Sequence, residues 1–359
     1  MPLTGNKGEW SEIYTLFKLL GEKIVYAGDG ELNKIEELFY PILKILRNEK
    51  NNVFEYGIKD EIIIISENGI EITRKPVDAF LKQAKKILSI IRQSNGAFSI
   101  PEIEQFMNEI NCRQLKAKSI DKTDIRIVIH DLRTGMTPEL GFSIKSQVGN
   151  NSTLLNAGKT TNFRYKITDK QLTINEINEI NKIKTHKKII DRVQTILKLG
   201  ADFRFSGMDD PIFYNNLVVI DSWLPQILAE LLLQCYKTGD NNLQSLTETI
   251  TKQNPLNYDT SNNNPFYEYK IKQLLVASAL GMRPHYPWNG KFEANGGYLV
   301  VKDSGDVLCY HFYDRNLFED YLFYNTKFES ASTTRHGFAE LYNEDQDTYF
   351  KLNLQIRFK

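Results

Sequence analysis

The sequence predicts a mixed α/β chain of the α+β kind, a mixed sheet backed by helices and accompanied by further helical and C-terminal β-rich regions. Three observations lead there. Ser119 to Gln147 reads as two period-2 strands around a turn-rich segment, amphipathic runs with helical spacing precede and follow it, and residues 298–358 read as a series of strands.

Residues 9–21 form the first helix, with Asn6 as N-cap, Glu9 three residues on and Gly21 as the stop. Ile13, Leu16, Phe17 and Leu20 make its apolar stripe, and Ser11, Thr15 and Lys18 its wet face. Glu9 falls within the stripe and Glu12 at its edge. An acid in a first turn serves as cap and dipole complement, worth under about 1 kcal/mol. A carboxylate turned toward the core needs a partner, and a metal ion would be one. Asn33 to Glu49 reads as a second amphipathic helix bent at Pro41. Residues 61–66 and 70–73 are a strand pair turning at Asn68-Gly69. Helices follow at 78–93 and 101–111, with Lys82, Lys85, Lys86 and Arg92 read first as a solvated face and second as phosphate contacts.

In the central stretch, Ile125, Ile127 and Ile129 share one face while Asp124, Arg126, Val128 and His130 share the other. On the second strand Ser143, Lys145 and Gln147 alternate with Phe142, Ile144 and Ser146. With the turn centred on Thr134-Gly135, counting sets Asp124 across from Lys145, about 5 Å away. Such a pair is either an ion pair, worth at most about 1 kcal/mol if exposed, or a metal-dependent phosphodiesterase centre. In the second case Asp124 would ligate Mg²⁺ and Lys145 would polarise the phosphate or help deprotonate water. An Asp followed at a distance by x-Lys is similar to the PD-(D/E)xK nucleases, although Ser143 stands where their second acid is usual.

The loop after this hairpin is rich in Gly, Asn, Ser and Thr; Asn156 and Asn162 would offer donors to DNA, or the loop is a polar connector. A third strand covers 163–167, a basic helix 175–200, a buried strand 213–220, an apolar helix 222–237, an exposed connection 240–265 and a helix 267–280. Arg283, His285, Tyr286, Trp288, Asn289 and Lys291 then crowd together, with Lys327, Arg335 and His336 beyond. Planar donors among aromatics suit bases and phosphates, and equally make an ordinary polar surface. Strands are expected at 298–303, 307–313, 337–343 and 348–358.

The 359 residues suffice for two domains, and 45 basic against 45 acidic residues leave no net charge to name a partner. Cys112, Cys235 and Cys309 lie far apart, which excludes an evident zinc site and points to a reducing setting. The histidines lack HxxxH spacing, and no glycine cluster makes a phosphate loop or dinucleotide fingerprint. Without a signal region or a run of about 20 apolar residues, the expectation is a soluble cytoplasmic protein with no membrane partner.

Several stretches together resemble the HpaII-type restriction endonuclease family: GNKGEWSEIYTLFKLL (5–20), KTDIRIVIHDLRTGMTPELGFSIKSQVG (122–149), TLLNAGKTTNF (153–163), RHGFAELY and FKLNLQIRF. The resemblance runs nearly end to end. It implies a PD-(D/E)xK restriction-endonuclease-like core, Mg²⁺ as cofactor and cleavage of double-stranded DNA at CCGG by a type II restriction endonuclease. Carried onto this chain, Asp124 is a metal ligand, Lys145 the catalytic lysine and Gln147 its neighbour. Ser143 leaves the second carboxylate open between Glu12, Glu9 and, as third option, Glu139. Arg283, Lys291, Arg335 and His336, with Asn156 and Asn162, are the DNA-contacting candidates. The division implied is 1–35 as first helix of the catalytic core, 36–118 as an insertion, 119–240 as the catalytic core and 241–359 as a DNA-recognition region. A homodimer would match a palindrome. Two rival readings share the residues: a repair-type nicking endonuclease and a non-catalytic DNA-binding module.

Overall fold

Asn6 caps helix α1 (Lys7–Glu22): its side chain accepts from Glu9 N at 3.1 Å, and the Glu9 carboxylate accepts from Asn6 N at 2.9 Å. The computed structural model describes residues 2–49, 52–116, 123–149 and 151–359, so Ser119 to Lys122 of the central stretch lie outside the described residues. After α1 come β1 (Ile24–Gly28), β2 (Lys34–Glu49), β3 (Asn52–Lys59), β4 (Ile62–Glu67), β5 (Ile70–Pro76), α2 (Val77–Gln93), α3 (Pro101–Glu109), β6 (Ile125–Ile129) and β7 (Glu139–Ser146). The chain continues through β8 (Thr153–Leu155), β9 (Asn162–Thr168), α4 (Ile174–Asn181), α5 (Lys188–Lys198), β10 (Asp202–Met208), α6 (Pro211–Ile220), α7 (Leu224–Thr238), α8 (Leu243–Gln253) and α9 (Phe266–Leu280). It ends with β11 (Gly297–Val301), β12 (Val307–His311), α10 (Arg315–Tyr324), β13 (Thr326–Phe328), α11 (Thr333–His336), β14 (Tyr342–Glu344), β15 (Asp347–Asn353) and β16 (Ile356–Phe358).

These elements gather into two compact units, Met1–Ser152 with Phe292–Tyr321, and Thr153–Lys291 with Leu322–Lys359. Residues 292–321, expected within a C-terminal β-rich region, thus give β11 and β12 to the sheet of the first unit. Among the described residues that sheet runs β1-β12-β11-β7-β6-β2-β3-β4-β5, and an added pairing of β1 with β2 closes a ring of six strands. It is mixed: β11 runs parallel to β7 and β1 parallel to β12, whereas β6 and β7 are antiparallel. Trp10, Ile13, Leu16, Phe17 and Leu20 of α1 are fully buried in its core, each contributing about 1.5–3 kcal/mol. Phe17 meets Phe80 and Phe106 edge-on at 5.8 and 5.3 Å. Gly21 does not stop α1; the helix runs to Glu22 and ends at left-handed Lys23 (φ 64°). The small residue instead admits Leu81, which would lie 2.5 Å from a Cβ at Gly21. The second unit holds a four-stranded sheet, β10-β9-β15-β14, a three-stranded one, β13-β16-β8, and helices α4 to α9.

The structure corrects several elements. The strand expected over 337–343 begins only at Tyr342, as β14, and the one expected over 348–358 is two, β15 and β16. Asn33 to Glu49 is a strand, not a helix: Tyr40 and Ile42 face the core, a bulge between Ile42 and Lys44 inserts one residue, and Ile45, Arg47 and Glu49 resume the buried alternation. The resulting 42-to-45 spacing imitates a helical period. Residues 213–220 are helical because the Asp210 side chain accepts from Ile212 N at 2.7 Å and Pro211 opens the first turn, with Phe213, Asn216 and Leu217 on the buried face. The connection 240–265 contains α8, capped by Asn242, whose Leu243, Leu246, Thr247 and Ile250 are buried. The helix expected over 175–200 is two helices, α4 and α5. Arg192 of its basic segment is buried, binding the carbonyls of Asn181, Ile183 and Ala339.

His311, at the end of β12, is 1% exposed. Its Nδ1 accepts from Tyr313 N at 2.9 Å, and its ring stacks on Tyr313 at 4.5 Å. Burial, only partly opposed by Asp314, lowers its pKa from 6.5 to about 4. Between those values the unfolded chain holds a proton that the native one does not. The contribution to stability is therefore full above pH 6.5, and about 3 kcal/mol is lost as pH falls through the folded value. Urea unfolding at about pH 7 and about pH 5 should show a smaller acid loss for His311→Phe than for the parent. Equal losses would remove His311 from the account.

Candidate active site

The pairing of β6 with β7 sets Ile125 opposite Phe142 and Arg126 opposite Gly141. Asp124 N donates to Phe142 O at 2.9 Å, so Asp124 lies beside Ser143 and not, as counting placed it, across from Lys145. The turn centre lies one residue earlier than expected, which shifts partners by two and preserves the face. Asp124 Oδ2 accepts from Ile144 N at 2.8 Å and from Ser143 Oγ at 3.1 Å. Both bonds fix the plane of the carboxylate.

Lys145 follows two residues along the same face, half-buried. Its Nζ lies 5.0 Å from the ring centre of Tyr298, a cation–π distance. Tyr298 is 2% exposed and comes from β11, where it pairs with Ser143 while Val300 pairs with Lys145. Burial lowers the Lys145 pKa, and the carboxylates of Asp124 and then Glu12 pull against that shift. Both acids therefore act on one ammonium. Glu12 is 8% exposed on α1. Its neighbour Ser11 donates from Oγ to Ser146 Oγ at 2.8 Å, fastening α1 to β7 beside Lys145.

The structure thus brings together Asp124, Ser143, Lys145 and Glu12. Gln147 lies just past β7, with its N–H donated to Val301 O at 2.8 Å. Glu9 is engaged in the α1 cap. Glu139, at the opposite end of β7, pairs with Arg126 at 2.6 Å. The DNA candidates belong to the second unit. There Asn156, Arg283, Lys291 and Arg335 are exposed and His336 is half-buried. Asn162 is not available: at 1% exposure its amide donates to Asp209 at 3.1 Å and to His336 O at 2.9 Å, and its Oδ1 accepts from Asn353 at 2.7 Å. Sequence reasoning missed Tyr298, since nothing local to GYLVV marks it as the parallel neighbour of β7.

Among the described residues no group of three or more His, Cys, Asp or Glu side chains gathers to hold a metal. A cation at this site would draw on Asp124 and Glu12 and complete its shell with water, backbone or phosphate oxygens. That donor set fits Mg²⁺, which is bound through one or two carboxylates and keeps much of its water, and does not fit zinc.

The chain is a site-specific deoxyribonuclease. It belongs to the HpaII restriction endonuclease family, whose model matches residues 6–358. It is 46% identical to the type II restriction enzyme HpaII of Haemophilus parainfluenzae, over 99% of this chain and 98% of that enzyme. The expected type II restriction endonuclease is thereby borne out. Its substrate is double-stranded DNA, and enzymes of this type generally require a divalent metal. No solved structure matches the chain. Among the described residues no single helix is long and apolar enough to cross a membrane.

The hydroxyl of Ser143 is one of two donors to Asp124 Oδ2. A hydrogen bond to a charged group contributes about 1.5–3 kcal/mol, so Ser143→Ala should slow cleavage about tenfold or more and Ser143→Thr should restore much of it. Unchanged cutting by Ser143→Ala would mean that Ile144 N alone orients the acid.

Proposed function

We propose that this enzyme is an Mg²⁺-dependent nuclease built on a PD-(D/E)xK core that hydrolyses one phosphodiester in each strand of a CCGG site. The observation carrying the reading is that Asp124 and Glu12, from a strand and a helix far apart in sequence, both act on the half-buried Lys145. Asp124 and Glu12 would hold the metal, with Glu12 taking the part of the acid that Ser143 cannot play. A bound divalent ion supplies Lewis-acid polarisation of the phosphate and a more acidic water. The protein's own share is positional and electrostatic. Ser143 and Ile144 N orient Asp124, and Tyr298 holds the Lys145 ammonium against its ring. Lys145 then offsets negative charge developing on the phosphate oxygens. Gln147, next on that alternation, is the proposed neighbour at the margin of the site.

The CCGG sequence rests on the family resemblance. A site made wholly of G·C pairs calls for donors to guanine O6 and N7, for which arginine is the commonest choice. Within 241–359 we assign that role to the parts lying in the second unit, where Arg283, Lys291 and Arg335 are exposed, with His336, and Asn156 from outside that range, as further contacts. A homodimer would set two such sites across a palindrome.

Plasmid cleavage with Mg²⁺ tests the centre. Asp124→Ala and Glu12→Gln should each lose at least about a hundredfold in rate, given that even groups behind metal ligands cost 10- to 100-fold. Glu9→Gln should cut at close to the parental rate. A fully active Glu12→Gln would leave Asp124 without its proposed partner.

A further inference from the structure

Asn216, on α6, is 2% exposed, yet its side chain is fully employed. Nδ2 donates to the carbonyls of Arg283 at 3.2 Å and Tyr286 at 2.9 Å, and Oδ1 accepts from Trp288 N at 2.8 Å. One buried amide thus fastens three backbone points of a single loop, which two prolines, Pro284 and Pro287, stiffen further. The clamp holds the main chain and leaves side chains outside: Arg283 and His285 are exposed, and Tyr286 is 65% exposed.

A second segment braces the same loop. Thr160 Oγ1 hydrogen-bonds His285 Nδ1 at 3.1 Å. The His285 ring lies so close to Gly158 that a Cβ there would fall 2.6 Å from its Cε1. Gly158 is itself fixed, its N–H donated to Thr161 Oγ1 at 3.1 Å and its carbonyl accepting from buried Asn353 at 2.7 Å. Lys159 is exposed between these points. Neither residues 156–162 nor 283–291 contain a carboxylate, so the side-chain charges of both segments are positive. Ordering a loop before binding removes a cost that would otherwise fall on affinity, and a fork of N–H groups discriminates bases only if its position is fixed.

We propose that Arg283 and His285, held by the Asn216 clamp and the Gly158–Thr160 brace, read base edges of the duplex and set sequence preference. Asn216 and Gly158 are positioning residues that do so through His285 and its loop. The inference deepens the CCGG reading and rests on it.

The test is fluorescence anisotropy with Ca²⁺ replacing Mg²⁺, on a duplex containing CCGG and on duplexes with single substitutions in that site. Arg283→Ala and His285→Ala should each lose about five- to hundredfold of preference at a particular base pair while still binding the substituted duplexes as the parent does. Asn216→Ala and Gly158→Ala, which keep both reading side chains, should lose preference too, with thermal melts reporting folding separately. Uniform weakening on all duplexes with a shallower salt slope would make these residues phosphate contacts and overturn base reading. Preference retained by Arg283→Ala and His285→Ala would overturn the inference alone, and preference retained by well-folded Asn216→Ala would overturn the clamp. A parent without preference for CCGG would overturn the sequence assignment and this inference together.

Discussion

The seating of α1 on the sheet of the first unit is the constraint on which the proposed active site depends. The helix is buried along nearly its whole length, with Trp10, Ile13, Leu16, Phe17 and Leu20 inaccessible to water. Its rotation about its axis is therefore set by packing, since a turn of one residue would expose part of that stripe. Glu12 is carried toward the sheet by this apolar contact rather than by attraction of its own. The Ser11–Ser146 hydrogen bond then fixes the helix's height along β7 to within one residue of Lys145. A hydrophobic stripe supplies the energy, a hydroxyl pair supplies the register, and the carboxylate follows both.

The first unit buries charge in two contrasting ways. Arg47 and Glu49 are 3% and 4% exposed and pair at 2.7 Å. Arg47 also donates to the carbonyls of Gln114 and Leu115, and Glu49 accepts from Arg113 N. Each ion is met by several partners, as a buried pair must be if its desolvation is to be offset, and the result ties the segment at 113–115 to β2. Lys145 is different. Burial disfavours its charge and two carboxylates only partly compensate, so its pKa stays below that of an ordinary lysine. A cation left less than fully satisfied responds strongly to an incoming anion, because little has to be given up when a phosphate oxygen arrives. The saturated network suits structure, and the unsaturated one is in keeping with the role proposed for Lys145.

What could be read in the sequence divides along the range of the interactions involved. The α1 cap was legible because Asn6 and Glu9 are three residues apart, and the β4–β5 hairpin because Asn68-Gly69 announces its turn. That Asp124 and Lys145 share a face of the hairpin, and that Glu12 turns inward on α1, was legible because alternation and helical spacing preserve the face even when the register is misjudged by two. The failures share the opposite property. β2 was mistaken for a helix because its bulge depends on β6, which lies far along the chain. Tyr298 was invisible because only the parallel pairing of β11 with β7 brings it under Lys145. Asn162 looked like a donor for DNA because nothing nearby shows that Asp209, His336 and Asn353 claim its amide.

Asn162, Asn216 and Asn353 are all buried at 2% exposure or less, in a chain where asparagine was expected to mark connectors and DNA contacts. A primary amide offers two donors and an acceptor in one plane, so a buried one bonded on both sides fixes the direction of the backbone it touches. Breaking any of those bonds strands a polar group out of reach of water, which costs more than the bond contributes. Buried amides therefore make loops stiff at positions where an apolar contact would let them slide. Ser143 and Ile144 N do the same for Asp124, holding one carboxylate oxygen so that the other is aimed. In both units the groups facing solvent or substrate are placed by polar groups that do not, and the second set is what local sequence patterns fail to reveal.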